Sequence, residues 1–191
     1  MDRRPLLEML IRYRQAFPTE AGMVNRICAL IETHADCFVR TCRPGHITAA
    51  AWIVSADRRR HLLTHHRKLD RWLQVGGHAD GHWCVEEVAL REAREESGLN
   101  SLEFVPIDGV VMPFDVDVHA IPAHCDAEGR IVEDAHEHHD IRFLLMAHAG
   151  QETSCSDESH AVDWFTPEEI VQLTDEESVL RMLRKALELL D

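Results

Sequence analysis

The sequence predicts a layered α/β or α+β fold, organised as one domain with a helical appendage at its N-terminus. Three observations support this. Segments of helical and strand periodicity alternate loosely along the chain. There are no internal repeats and no low-complexity stretch. The 191 residues, 45% hydrophobic and 28% charged, are enough for one sizeable core.

The elements follow in chain order. Leu6, Leu7, Leu10, Ile11 and Tyr13 sit at helical spacing over 2–16. Pro18-Thr19-Glu20 interrupts them, and Met23, Ile27, Leu30 and Ile31 repeat the pattern over 20–34. These two helices form the expected extension, residues 1–44, ahead of a second region, 45–191. Ile47–Ser55 reads as the first strand and Arg60–His65 as the next. Gly76-Gly77 breaks the chain before a helix from about Cys84 to Ser97, which Gly98 stops. Strands are expected at Gly109–His119 and His138–His148, with a long polar loop, 120–137, between them. A short strand near Val162–Phe165 leads to a helix start at Pro167-Glu168-Glu169. Val179, Leu180, Leu183, Leu187 and Leu190 give the final helix a buried face.

Charge narrows the function. Twenty Lys+Arg against 34 Asp+Glu leave −14, so no nucleic-acid partner is expected, since nucleic-acid affinity comes largely from Lys and Arg neutralising phosphates. No apolar run approaches the roughly 20 residues of a membrane span, and the start reads as a polar helix, so no membrane partner is expected. Cys28, Cys37, Cys42, Cys84, Cys125 and Cys155 are irregularly spaced with no C-x-x-C pair. They read as reduced thiols in a cytoplasmic protein.

Chemistry concentrates in residues 76–99, GGHADGHWCVEEVALREAREESGL. Glu92, Glu95 and Glu96 share one helical face, about 100° wide. Three carboxylates crowded in this way repel one another unless a cation sits among them, and hard oxygen ligands suit Mg2+ or Mn2+. The competing reading is a solvated acidic face paired with Arg91 and Arg94.

Gly77, Arg91, Glu92, Glu95, Glu96, Gly98 and Leu99, with Ala93 at the apolar position, resemble the Nudix box, G-x5-E-x7-R-E-U-x-E-E-x-G-U. Leu62–His66, Trp72–Val75 and Trp164-Phe165-Thr166 extend the resemblance to roughly 45–170. Trp83 stands where the box carries its first glutamate. The resemblance implies a Nudix-like α/β/α sandwich with a mixed sheet. It also implies a hydrolase that cleaves the diphosphate linkage of a small nucleoside diphosphate derivative with Mg2+ or Mn2+. On that analogy Glu92, Glu95 and Glu96 bind the metal, a Gly76 or Gly77 carbonyl adds a ligand, and Arg91 orients the glutamates. The general base is then a box glutamate or a loop carboxylate, with Glu158 favoured. Arg67 and Lys68 are candidates for holding phosphates, and Arg58-Arg59-Arg60 reads as a solvated turn.

Two other readings compete. One is a catalytically silent Nudix-like domain that binds a nucleotide as a sensor; Trp83 favours it and the glutamate triad opposes it. The other is an isoprenoid diphosphate isomerase, which requires a catalytic cysteine in a context Cys84 lacks. The N-terminal helices are read either as a cover for the site or as a homodimer interface.

Ten of the 14 histidines fall in 61–82 and 119–139. Asp115, Asp117 and His119 alternate on one expected strand, and His136, His138 and Asp140 on another. If the two strands pair, His119, His136 and His138 form a candidate second site for a transition metal. The competing reading is a polar sheet edge with histidines hydrogen-bonded to acids.

Overall fold

The computed structural model describes residues 2–191. The N-terminal helices are α1, Arg4–Ala16, and α2, Ala21–Thr33. The strands that follow are β1, Gly45–Val54; β2, His61–His66; β3, Arg71–Leu73; and β4, Val75–His78. Next come helix α3, Val85–Ser97, and strands β5, Leu102–Phe104, and β6, Asp115–Ile121. A small hairpin pairs β7, His124–Cys125, with β8, Ile131–Glu133. The chain finishes with β9, His136–Ala147; β10, Ser159–Phe165; α4, Pro167–Leu173; and α5, Glu177–Leu190.

The main sheet is ordered β10-β2-β1-β9-β5, with β3 on β2, β4 on β1 and β6 on β9. The β1–β2, β2–β10, β2–β3 and β5–β9 pairs are antiparallel. The β1–β9 pair runs parallel. Glu137 N–H donates to the Pro44 carbonyl and Thr48 Oγ1 donates to Asp140 Oδ1, so the contacts advance together along both strands. The mixed sheet and α+β class therefore agree with expectation.

Two compact units divide the chain. The first comprises Met1–Thr48, His78–Val85 and Val116–Ile141. Its helices bury Leu6, Met9, Leu10 and Tyr13 of α1 and Val24, Ile27, Leu30 and Ile31 of α2. The first set follows i, i+3, i+4, i+7 and the second i, i+3, i+6, i+7, each the spacing of one apolar face.

The second unit comprises Ala49–Gly77, Glu86–Asp115 and Arg142–Asp191. Ala51, Ile53, Leu62, Val75, Leu145 and Ala147 on strands meet Ala93 of α3 and Leu99 just beyond it, with Leu90 and Trp164 packed alongside. Gly98 ends α3 in the left-handed region (φ +75°). Thr166 caps α4 through a reciprocal box with Glu169. Asp115 is fully buried and receives Arg142 Nη1 at 2.9 Å, Arg181 Nε and Nη2 at 2.9 Å, and Lys185 Nζ at 3.3 Å. Asp115 is committed to this ion-pair network.

Two expectations are corrected. The strand expected from Gly109 begins at Asp115. Asp108 and Gly109 take left-handed conformations (φ 49° and 77°) in a turn closed by an Ile107–Val110 bridge, and Pro113 has no N–H for a ladder. The expected loop 120–137 contains the β7–β8 hairpin. Its turn is closed by Asp126, whose carboxylate accepts from the N–H groups of Glu128 and Arg130.

Candidate active site

Helix α3 carries the three glutamates, and the second unit holds the whole candidate site. Ala89 and Ala93 are buried while Arg94 and Glu95 are exposed. That orientation turns Glu92 and Glu96 inward by one helical turn. Glu96 is 8% exposed, and its Oε1 accepts the Gly76 N–H at 3.2 Å. Glu92 lies against Gly77: a Cβ built on that glycine would fall 2.5 Å from a Glu92 carboxylate oxygen. The double glycine thus brings bare backbone up to two carboxylates. Gly76 is itself in a conformation favouring glycine (φ +157°), and a Cβ there would fall 2.6 Å from the Ala50 Cα.

Arg91 Nη2 donates to Glu92 Oε1 at 2.5 Å, and its Nε lies 3.9 Å from Glu95 Oε2. Arg91 therefore pairs with Glu92 and comes within ion-pair range of Glu95. Glu95 stands at the solvent rim, with its side chain 64% exposed.

Burial pushes the Glu96 carboxyl up to about 8, opposed by the Gly76 hydrogen bond and reinforced by the charges of Glu92, Glu158 and Glu95. Glu92 is also raised, by burial first, with Arg91 opposing and Glu95 and Glu158 adding repulsion. A cation is the complement this crowding calls for, and the all-oxygen donor set suits Mg2+ or Mn2+. Glu158 comes from the loop before β10, and its charge acts on both Glu92 and Glu96. The structure thus brings Glu92, Glu95, Glu96, Arg91, Gly76, Gly77 and Glu158 together.

Other candidates have different surroundings. Arg67 donates from its backbone to the Glu158 carbonyl at 3.0 Å and from Nη2 to the Ser159 carbonyl at 3.3 Å. It braces the loop that carries Glu158. Lys68 is exposed, as are Arg58, Arg59 and Arg60. Trp83 precedes α3 with 43% of its surface exposed.

Five histidines, His46, His78, His119, His136 and His138, gather in the first unit, while His61, His65 and His66 lie in the second. His138 lies with ring centroids 5.1–5.5 Å from His78, His119 and His136 and 4.8 Å from His46. Burial, then neighbouring histidines, push His138 down to about 2 and His46 to about 4. His119 and His136 join this group as expected. His46 and His78 were not foreseen, because their strands, β1 and β4, meet it only through sheet pairing. His124 is exposed, and His139 points to the opposite face of β9.

The family model described as NUDIX domain matches residues 45–186. A solved hydrolase of the NUDIX family from Clostridium perfringens is 25% identical, with a TM-score of 0.58 over 76% of this chain and 98% of that one. The C. elegans Ap4A hydrolase in a binary complex is 17% identical, with a TM-score of 0.53 over 75% and 96%. The E. coli dihydroneopterin triphosphate pyrophosphohydrolase is 18% identical, with a TM-score of 0.52 over 75% and 94%. No curated sequence matches the chain.

Proposed function

The chain belongs to the Nudix family; from that premise we propose that it is a metal-dependent Nudix-type pyrophosphohydrolase that cleaves the diphosphate linkage of a small nucleoside diphosphate derivative. One observation carries the reading. Two glutamates are held in low-dielectric surroundings against bare glycine backbone, their charges crowded by Glu95 and Glu158, with Arg91 paired to Glu92. An acidic site can take an anionic diphosphate only through a cation.

Glu92, Glu95 and Glu96 would hold Mg2+ or Mn2+, with a Gly76 or Gly77 carbonyl as a further ligand. The metal supplies charge neutralisation at the diphosphate and acidifies a water. Arg91 holds Glu92 and Glu95 in place. Glu158 accepts the proton of the attacking water, with Arg67 fixing its loop. Arg67 and Lys68 carry the positive charge offered to the substrate phosphates.

The family match begins at residue 45, which supports a division into an N-terminal helical extension, 1–44, and a catalytic domain, 45–191. No described helix is long and apolar enough to cross a membrane. The six cysteines are free thiols, and their irregular spacing is the ground for proposing a cytoplasmic setting. The extension is the proposed cover or homodimer surface.

The test offers purified protein with Mg2+ or Mn2+ a panel of nucleoside diphosphate sugars, dinucleoside polyphosphates, nucleoside triphosphates and isopentenyl diphosphate. Turnover that disappears in Glu95→Gln supports the hydrolase. Nucleotide binding without turnover would instead establish the sensor.

A further inference from the structure

Imidazoles from four strands converge in the first unit, apart from the carboxylate site. His46 opens β1, His78 closes β4, His119 lies on β6, and His136 and His138 open β9. Strands β1 and β9 run parallel with Glu137 N–H on the Pro44 carbonyl, so period two puts His46 on the same face as His136 and His138. Their first residues are tightly packed: a Cβ on Gly45 would fall 2.5 Å from the Glu137 carbonyl oxygen.

His46 is 1% exposed, and neither ring nitrogen makes a well-formed hydrogen bond, the Cys42 backbone acting on the ring only weakly. An orphaned buried polar group is rare in a native fold and calls for an unseen partner. His136 points toward where that partner sits. Its Nδ1 lies 2.8 Å from the Asp134 carbonyl, which can only accept, so Nδ1 carries the proton and Nε2 presents its lone pair toward His138. This carbonyl brace is the usual support for a metal-binding imidazole. His136 Nε2 lies 3.3 Å from His138 Nε2. A tetrahedral zinc with Zn–N near 2.0–2.1 Å separates its nitrogens by about 3.3–3.4 Å. One nitrogen each from His46, His136 and His138 lie mutually within 4.8 Å. Glu133 Oε1 is 3.8 Å from His136 Nε2, too far for a hydrogen bond to explain the arrangement.

We propose that His46, His136 and His138 form a nitrogen-donor site for one transition-metal dication of the zinc class. His119 faces it across His138. Its Nδ1 lies 3.1 Å from Asp117 Oδ2, a second example of a braced imidazole. The site revises the set His119, His136 and His138 read from spacing: His46 takes the place of His119 as a ligand. Imidazole ligands suit zinc, nickel or copper and not Mg2+, so the site is chemically separate from the glutamates.

The test is Co2+ titration of untagged, chelator-stripped full-length protein, read by visible absorption. One equivalent binds with the intense bands of low-coordinate nitrogen ligation, Zn2+ displaces it, and excess Mg2+ does not. Glu92→Gln leaves the spectrum unchanged, whereas His138→Asn and His46→Asn each weaken binding at least about 100-fold. Imidazole 15N shifts on adding Zn2+ to wild-type protein answer the same question without substitution, with three rings moving together. Absence of a tight equivalent, its survival in His138→Asn, its loss in Glu92→Gln, or unmoved imidazoles would overturn the proposal.

Discussion

Alanine at Gly76 and at Gly77 separates folding from function across one peptide bond. At Gly76 the new Cβ would fall 2.6 Å from Ala50 Cα and Cβ and 2.8 Å from the Ala49 carbonyl, in a conformation L-residues rarely adopt. Backbone of β1 cannot retreat without disturbing the sheet. Overpacking of this kind costs about 1–3 kcal/mol, and the lost unfolded-state freedom of glycine returns only about 0.4–1. Gly76→Ala is therefore destabilised by roughly 1–2 kcal/mol. At Gly77 the clash, 2.5–2.9 Å, is with the carboxylate end of Glu92, which can swing away. Stability then stays within about 1 kcal/mol of wild type. The displaced Glu92 is a proposed ligand, so Mn2+ affinity and turnover fall by about 10–100-fold. Urea unfolding followed by tryptophan fluorescence, with Mn2+ titration of each folded variant, measures both. Equal destabilisation of the two variants, or wild-type Mn2+ affinity in Gly77→Ala, would refute the reasoning.

Four further outcomes are expected. Asp115→Ala strands Arg142 in the core and costs about 3–5 kcal/mol in urea unfolding. Glu158→Gln lowers turnover by about 100-fold or more, with folding unchanged by circular dichroism. Trp83→Glu, which restores the carboxylate of the family pattern, raises Mn2+ affinity and rate. The fourth concerns His61, which is fully buried, accepts the Trp52 Nε1–H at 2.8 Å, and is pushed by burial to about 4. Near neutral pH both states are unprotonated. Below the unfolded value near 6.5 only the unfolded chain takes up the proton, so stability drops with pH until the folded ring also titrates near 4. That contributes about 2 kcal/mol of loss by pH 5. The drop in unfolding free energy from pH 7.5 to 5 should be smaller by that amount in His61→Gln.

The local parts of this architecture are legible because local rules specify them. Apolar spacing at Leu6, Leu10 and Tyr13, the left-handed stop at Gly98 and the Thr166–Glu169 box each act within a few residues. The glutamate face of α3 is legible for the same reason. What stays hidden depends on sheet pairing between distant segments. Nothing near His46 in sequence announces that β1 runs parallel to β9 and sets it beside His136 and His138. Gly76 and Gly77 read as a chain break and, through the box resemblance, as a carbonyl ligand; that their bare backbone lies against Glu96 and Glu92 depends on where β4 sits. The β7–β8 hairpin escapes notice because Ile131 and Val132 are 61% and 59% exposed, leaving no half-buried alternation to detect. Asp115 shows the converse: its alternation with Asp117 and His119 is real, yet three cations from β9 and α5 claim it.

The most direct measurement is hydrolysis of a nucleoside diphosphate substrate against Mn2+ concentration, in wild-type protein and in Glu96→Gln. Wild-type turnover should rise with Mn2+ and saturate, vanish on chelation and return on metal addition. Glu96→Gln should lose at least about 100-fold, with its hydrogen bond from Gly76 N–H retained by the amide oxygen. Turnover that ignores Mn2+, or a Glu96→Gln variant as active as wild type, would contradict the assignment of the α3 glutamates as the metal site.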